Sequence, residues 1–365
     1  MYLDSQSLIY KTNKLTVDKK YRNLVLPMQE IKEISWKWIV FPIATVNMKS
    51  GELYKFIIFN KSRFIKWFQE YFRKSKEVNR MSIYKSDRGK EAILSLYERQ
   101  LERLDKRCEN RYIDTTFGKT HLIETGNFAG VPLLVFHGGN ATTAYNLLGC
   151  DFLMKDFHIY AVDTIGHPGK SAEVSLSPNN YDYGKWVAEI IKTLGYEKIS
   201  CFGGSFGAGI IAKTMCVVPH KMEKVVLYVP SGISNAPSIN GISMMLPMIM
   251  YWITHKDKWL RKCMLPMAIT EENITDDIYE TAKLSIDFSR VKTKMPSNVH
   301  AKDMNKCKAP TLVMAAEMDC LFPAKQVIPR AEKMLDNCTT YLLKARGHMH
   351  FLTEDEKKMI VDFLL

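Results

Sequence analysis

The sequence predicts an α/β fold for most of its length, preceded by a small β-rich domain. Three observations carry this expectation. From about residue 111 onward, apolar runs of strand length alternate with helix-forming runs. Those runs end in turns that hold glycine together with serine, histidine or aspartate. The first hundred residues read differently, as short strand-like pieces followed by one aromatic-lined helix.

Charge separates the two parts. The chain has 51 Lys and Arg against 39 Asp and Glu, a net charge of +12, and 24 against 13 of these fall before residue 114. Residues 1–80 are therefore read as a basic β domain. Its strand-like pieces lie at 8–11, 14–17, 24–26, 31–35, 43–46 and 54–59. Lys49-Ser50-Gly51-Glu52 is a hairpin turn signal, and Phe64, Trp67, Phe68, Tyr71 and Phe72 recur at helical spacing. Residues 81–110 are expected to form a connecting helix with Leu94, Tyr97, Leu101 and Leu104 on one face, and 111–365 the larger domain.

Within 111–365 the elements follow in order. Leu133-Leu134-Val135-Phe136 is a strand running into His137-Gly138-Gly139-Asn140. Tyr160-Ala161-Val162 leads to Asp163 and a glycine-rich loop at Gly166 and Gly169, read as structural because its spacing is not that of a dinucleotide site. Ile199-Ser200-Cys201-Phe202 runs into Gly203-Gly204-Ser205-Phe206-Gly207 and then a helix. Residues 232–300, helical, rich in methionine and punctuated by proline, are expected to form a cap. Pro310 introduces the strand Thr311-Leu312-Val313-Met314-Ala315-Ala316, with Asp319 just beyond it. Thr340-Tyr341-Leu342-Leu343 leads to Gly347-His348, and an acidic segment opens the last helix.

The turns assemble a chemistry. A serine hydroxyl is a poor nucleophile until a base takes its proton, and the base needs a third group to hold its tautomer. A Gly-x-Ser-x-Gly between strand and helix lifts a hydroxyl clear of a sheet. Ser205 is thus the candidate nucleophile, His348 the general base and acid, and Asp319 the orienting carboxylate. Glu317 stays open as the acid and His350 as the base. For the oxyanion hole the candidate donors are the N–H groups of Phe206 and of Gly139, with Asn140 a rival to Gly139. Taken singly, each residue has a structural explanation; the ordered co-occurrence of all four turns is what favours catalysis.

These motifs resemble the alpha/beta-hydrolase superfamily, and more narrowly its bacterial carboxylesterase-like members, over about residues 86–365. Arg111-Tyr112-Ile113-Asp114-Thr115-Thr116-Phe117-Gly118 resembles the opening hairpin. Val225-Val226-Leu227-Tyr228-Val229-Pro230 resembles the strand after the nucleophile helix. The resemblance implies a mostly parallel sheet with helices on both faces, a helical cap, and a Ser-His-Asp site at the carboxyl ends of the strands. The N-terminal part resembles GRAM and bacterial pleckstrin-homology-like modules, its best match being residues 55–60.

The leading expectation is a cytoplasmic serine hydrolase that cleaves a small or medium apolar carboxylic ester through an acyl-enzyme. A membrane-targeted lipid hydrolase or acyltransferase stays open, as does a non-catalytic receptor on the same fold. The basic N-terminal domain leaves an anionic membrane surface or a protein partner open, with peripheral membrane association. No motif points to nucleic acid. The 8 cysteines are scattered without metal-ligand spacing, no segment reads as a signal peptide or a membrane span, and the mechanism calls for no metal or organic cofactor.

Overall fold

The computed structural model describes residues 2–3, 7–10, 24–27, 30–38, 42–57, 82–236, 242–290 and 294–365. The chain divides into two compact units, residues 1–80 and 81–365. In the first unit β1 (Tyr2–Leu3), β2 (Ser7–Tyr10) and β3 (Leu24–Pro27) form one antiparallel sheet. A second contains β4 (Ile31–Trp38), β5 (Pro42–Met48) and β6 (Leu53–Ile57). Ala44, Val46 and Met48 alternate into the interior, the two-residue period of a half-buried strand. The expected turn at 49–52 joins β5 to β6, with Gly51 at φ 90° and its N–H donating to the Met48 carbonyl at 3.0 Å. The aromatic helix expected over 64–72 and the strand piece at 14–17 lie outside the described residues.

In the second unit β7 (Cys108–Thr115), β8 (Gly118–Gly126), β9 (Val131–Phe136), β10 (Phe157–Val162), β11 (Ile199–Gly204), β12 (Met222–Tyr228), β13 (Thr311–Ala316) and β14 (Cys338–Leu343) form one sheet. Their order is β14-β13-β12-β11-β9-β10-β8-β7. Strands β9 to β14 run parallel, and the β7–β8 hairpin adds two antiparallel strands at one edge. Because β7 begins at Cys108, the last residues of the segment expected to be helical up to 110 are already paired in the sheet.

Helices cover both faces, which is why inner strands such as β9 and β13 are apolar along nearly their whole length, while the edge strand β14 is not. In β9, Leu133 and Val135 point to one side and Leu134 and Phe136 to the other. The first side packs against α1 (Asp87–Arg103) through Tyr97 and α2 (Thr143–Leu148) through Leu147. The second packs against α3 (Asp182–Leu194) through Trp186 and Ile190, and α4 (Phe206–Val217) through Ile210 and Ile211. Helix α1 buries Gly89, Ile93, Leu96, Tyr97 and Gln100; Leu94, expected on the packed face, is only half-buried because the covered stripe is set one residue aside.

Between β12 and β13 the chain builds α5 (Ile242–Thr254), α6 (Asp257–Ala268) and α7 (Asp276–Phe288), whose shared core holds Tyr251, Leu260, Met264 and Ile274. Helix α1 holds α7 through Gln100 Nε2 to Thr281 Oγ1 at 3.0 Å and an Arg103–Asp277 ion pair at 2.6 Å. After α8 (Ala301–Met304), α9 (Ala324–Met334) covers the α3–α4 face through Val327 and α10 (Glu354–Leu364) the α1–α2 face through Ile360. A Thr353–Glu356 capping box starts α10. Among the described residues no helix is long and apolar enough to cross a membrane.

Candidate active site

The chain lays β10 on one side of β9 and then returns to place β11 on the other. In an open parallel sheet such a reversal leaves a crevice outside the carboxyl ends of the two strands, since their connections diverge to opposite faces. The turns that leave β9 and β11 there are His137-Gly138-Gly139 and Ser205.

Ser205 is the sole residue between β11 and α4, with φ 52° and ψ −113°. A non-glycine residue in this region is strained by about 1–3 kcal/mol, so its surroundings must over-determine it. They do. Its N–H donates to the Tyr228 carbonyl at 2.9 Å, and its carbonyl accepts from the Ser231 N–H at 3.2 Å and the Ser231 hydroxyl at 3.0 Å. The flanking glycines permit the approach. A Cβ on Gly207 would run into the Phe136 carbonyl, and one on Gly203 would sit 2.7 Å from Ile211 Cδ1. Gly204 has no such need, its nearest neighbour being Tyr228 Cδ1 at 3.4 Å.

Asp319 lies three residues past β13. Its Oδ1 accepts from the Leu321 N–H at 2.7 Å and the Phe322 N–H at 3.0 Å, and its Oδ2 lies 2.7 Å from His348 Nδ1. Its side chain is fully buried. Burial alone would raise its pKa, but the electrostatic attraction of the His348 ring and the hydrogen bonds from His348, Phe322 and Leu321 outweigh it and hold the carboxyl below its ordinary value. A carboxylate can only accept, so Nδ1 carries the imidazole proton and Nε2 presents its lone pair. That Nε2 is 2.9 Å from Ser205 Oγ. The structure thus brings Ser205, His348 and Asp319 into one hydrogen-bonded chain.

The two rivals are engaged elsewhere. Glu317 is exposed and accepts from the Ala345 N–H at 2.8 Å. His350 has Nδ1 2.9 Å from the Gly347 carbonyl and Nε2 2.7 Å from the Tyr228 hydroxyl. Burial pushes its pKa down to about 4, with the Arg346 charge adding to the effect.

Phe206 is the first residue of α4, where a backbone N–H has no partner inside the helix. Gly139 lies against it: a Cβ there would be 3.7 Å from Phe206 Cβ. The turn is held by His137, a residue whose part in this arrangement the sequence reading missed. Its Nε2 accepts from the Thr164 N–H at 3.1 Å, which leaves Nδ1 to donate to the Gly138 carbonyl at 2.8 Å. Complete burial lowers its pKa and keeps it neutral, as that pattern requires. Asp163 is a brace: it accepts from the Tyr97 hydroxyl at 3.1 Å and the Lys170 N–H at 2.8 Å and pairs with His121 at 2.8 Å. Ser231 and Tyr228 also escaped sequence reading, because no local pattern marks a hydroxyl 26 positions away, or a backbone carbonyl 23 positions away, as the brace of Ser205.

The sequence model of the alpha/beta hydrolase fold family matches residues 131–263. Carboxylesterase YbfK of Bacillus subtilis (strain 168) is 23% identical over 278 residues, which cover 73% of this chain and 92% of that protein. The uncharacterized carboxylesterase nap of the same organism is 31% identical over 137 residues, 37% of this chain and 45% of that protein. The crystal structure of carboxylesterase CesB (YbfK) from Bacillus subtilis matches with a TM-score of 0.64 at 20% identity, covering 76% of this chain and 98% of that one. The chain therefore has the alpha/beta hydrolase fold and is similar in sequence to carboxylesterases.

Proposed function

We propose that this protein is a serine carboxylesterase using Ser205, His348 and Asp319. The observation that carries the reading is the unbroken chain Asp319 Oδ2, His348 Nδ1, His348 Nε2, Ser205 Oγ, with separations of 2.7 and 2.9 Å on a serine held in strained backbone. Ser205 Oγ attacks the ester carbonyl while His348 Nε2 takes its proton. Asp319 steadies the imidazolium that forms. The carbonyl oxygen, now negative, is met by the Phe206 N–H and the Gly139 N–H. His348 then protonates the leaving alkoxide, the acyl group stays on Ser205, and a water activated by His348 releases it as the acid. The similarity to carboxylesterases supports the ester as the bond cleaved.

The cap supports an apolar acyl or aryl group, since Met267 and Met349, the latter next to His348, are only partly buried where they pack against its core, and thioethers adapt to varied apolar shapes. Hydrolysis of p-nitrophenyl esters of increasing acyl length tests this. Turnover that rises from acetate to medium chains and vanishes in Ser205→Ala is expected. Equal turnover by wild type and Ser205→Ala would remove the proposal.

A further inference from the structure

Helix α5 carries no charged side chain, yet among the described residues only one of its faces is covered. Tyr251 is buried and Met248 packs beside it in the cap core. On the opposite side Met245, Leu246, Ile249, Trp252 and Ile253 are exposed, Leu246 at 66%, Trp252 at 62% and Ile253 at 70%. They fall at i, i+1, i+4, i+7 and i+8, one continuous stripe of helix surface. Scattered apolar residues on a surface need no explanation, but five on one face do. Cations follow at once: Lys256, Lys258 and Lys262 are exposed, the last two with Nζ 5.3 and 5.1 Å from the Trp259 ring centre. The one acid among them, Asp257, pairs with Lys283 at 3.3 Å.

We propose that this face of the cap docks on an anionic lipid bilayer. At 13 residues α5 is too short to cross a membrane, which takes about 20. It is suited to lie in the interface, its stripe among the acyl chains, Trp252 at headgroup level and the lysines on anionic headgroups. A second copy of the chain fits less well. The protein carries a net charge of +12, and a two-fold contact through this face would bring the lysine clusters of both copies together. The inference does not rest on the esterase reading, because docking is measured without turnover.

The test sediments the full-length protein with vesicles of phosphatidylcholine, with or without phosphatidylglycerol. Binding to the anionic vesicles that weakens with salt is expected. Trp252→Glu/Ile253→Glu should weaken it by about tenfold or more. Lys256→Glu/Lys258→Glu should weaken it and flatten the salt dependence. Thermal unfolding should be unchanged in both, and Leu246→Gln/Ile249→Gln serves as the apolar test if the first variant misfolds. The proposal is overturned if wild type binds neither vesicle, or if the apolar or the lysine variant binds as wild type does. A dimer dissolved by the apolar variant would give the face to a second copy instead.

Discussion

At the scale of single residues, catalysis turns on which groups His348 and His350 face. Both lie in the segment after β14, two positions apart, yet one meets Ser205 Oγ and the other the Tyr228 hydroxyl. Removing His348 should therefore abolish turnover, whereas His350→Asn should retain it to within about tenfold, a smaller loss than the 10²–10⁴ that general acid–base catalysis supplies. Steady-state kinetics on the two variants checks this, and equal losses would reverse the assignment. Asp319→Asn keeps the size of the side chain but can donate to Nδ1, favouring the tautomer with its proton on Nε2. A fall in kcat of about 10⁴ is expected, with KM nearly unchanged. Ser205, His348 and Asp319 were legible in sequence because each sits in a turn whose neighbours announce it. The choice of Asp319 over Glu317 was not, since both lie just past β13 and only the direction of the side chains separates them.

At the scale of elements, the helices α5 to α7 and the His348 loop are one assembly. The Met349 N–H donates to the Met267 carbonyl at 2.9 Å, and Met349 packs against the apolar core that these helices share. Gly347 makes this contact possible: a Cβ there would strike the Met267 carbonyl and lie 2.7 Å from Ile269 Cγ1. Ile269 itself has φ 69°, a conformation costly for a β-branched residue, so the end of α6 has little freedom to retreat. Gly347→Ala should accordingly destabilise the protein by about 1–3 kcal/mol and lower kcat by displacing His348. Urea unfolding and kinetics on that variant check the claim, and unchanged values of both would contradict it. The inner strands β9, β10 and β13 were legible because burial on both faces leaves long apolar runs with turn residues after them. The packed face of α1 was harder to read, because Leu94 and Ile93 are both apolar and only the position of the neighbouring elements decides between them. Of the methionines in the segment 232–300, Met264 is buried in the core that α5, α6 and α7 share.

At the scale of the whole molecule, buried histidines set the response to acid. Burial pushes His167 down to about 3 and His350 to about 4, and lowers His137 as well. In the unfolded chain each would titrate near 6.5. Below that pH the unfolded chain binds protons that the folded one refuses, so stability falls as pH drops, until the folded histidines also protonate near 4 and 3. Asp319 acts in the same direction at lower pH, because its folded pKa is depressed. The urea midpoint should therefore be lower at about pH 5 than at about pH 8, and a midpoint that stays level would contradict the burial of these rings. The basic excess of the first third was plain in sequence, but the GRAM resemblance leaned on residues 55–60, of which 58–60 lie outside the described residues.

Labelling with a fluorophosphonate followed by peptide mass mapping asks directly whether Ser205 is an activated nucleophile. One adduct is expected, on Ser205, lost in both Ser205→Ala and His348→Ala while His350→Asn still labels. No adduct on folded wild-type protein, or an adduct that persists in His348→Ala, would contradict it.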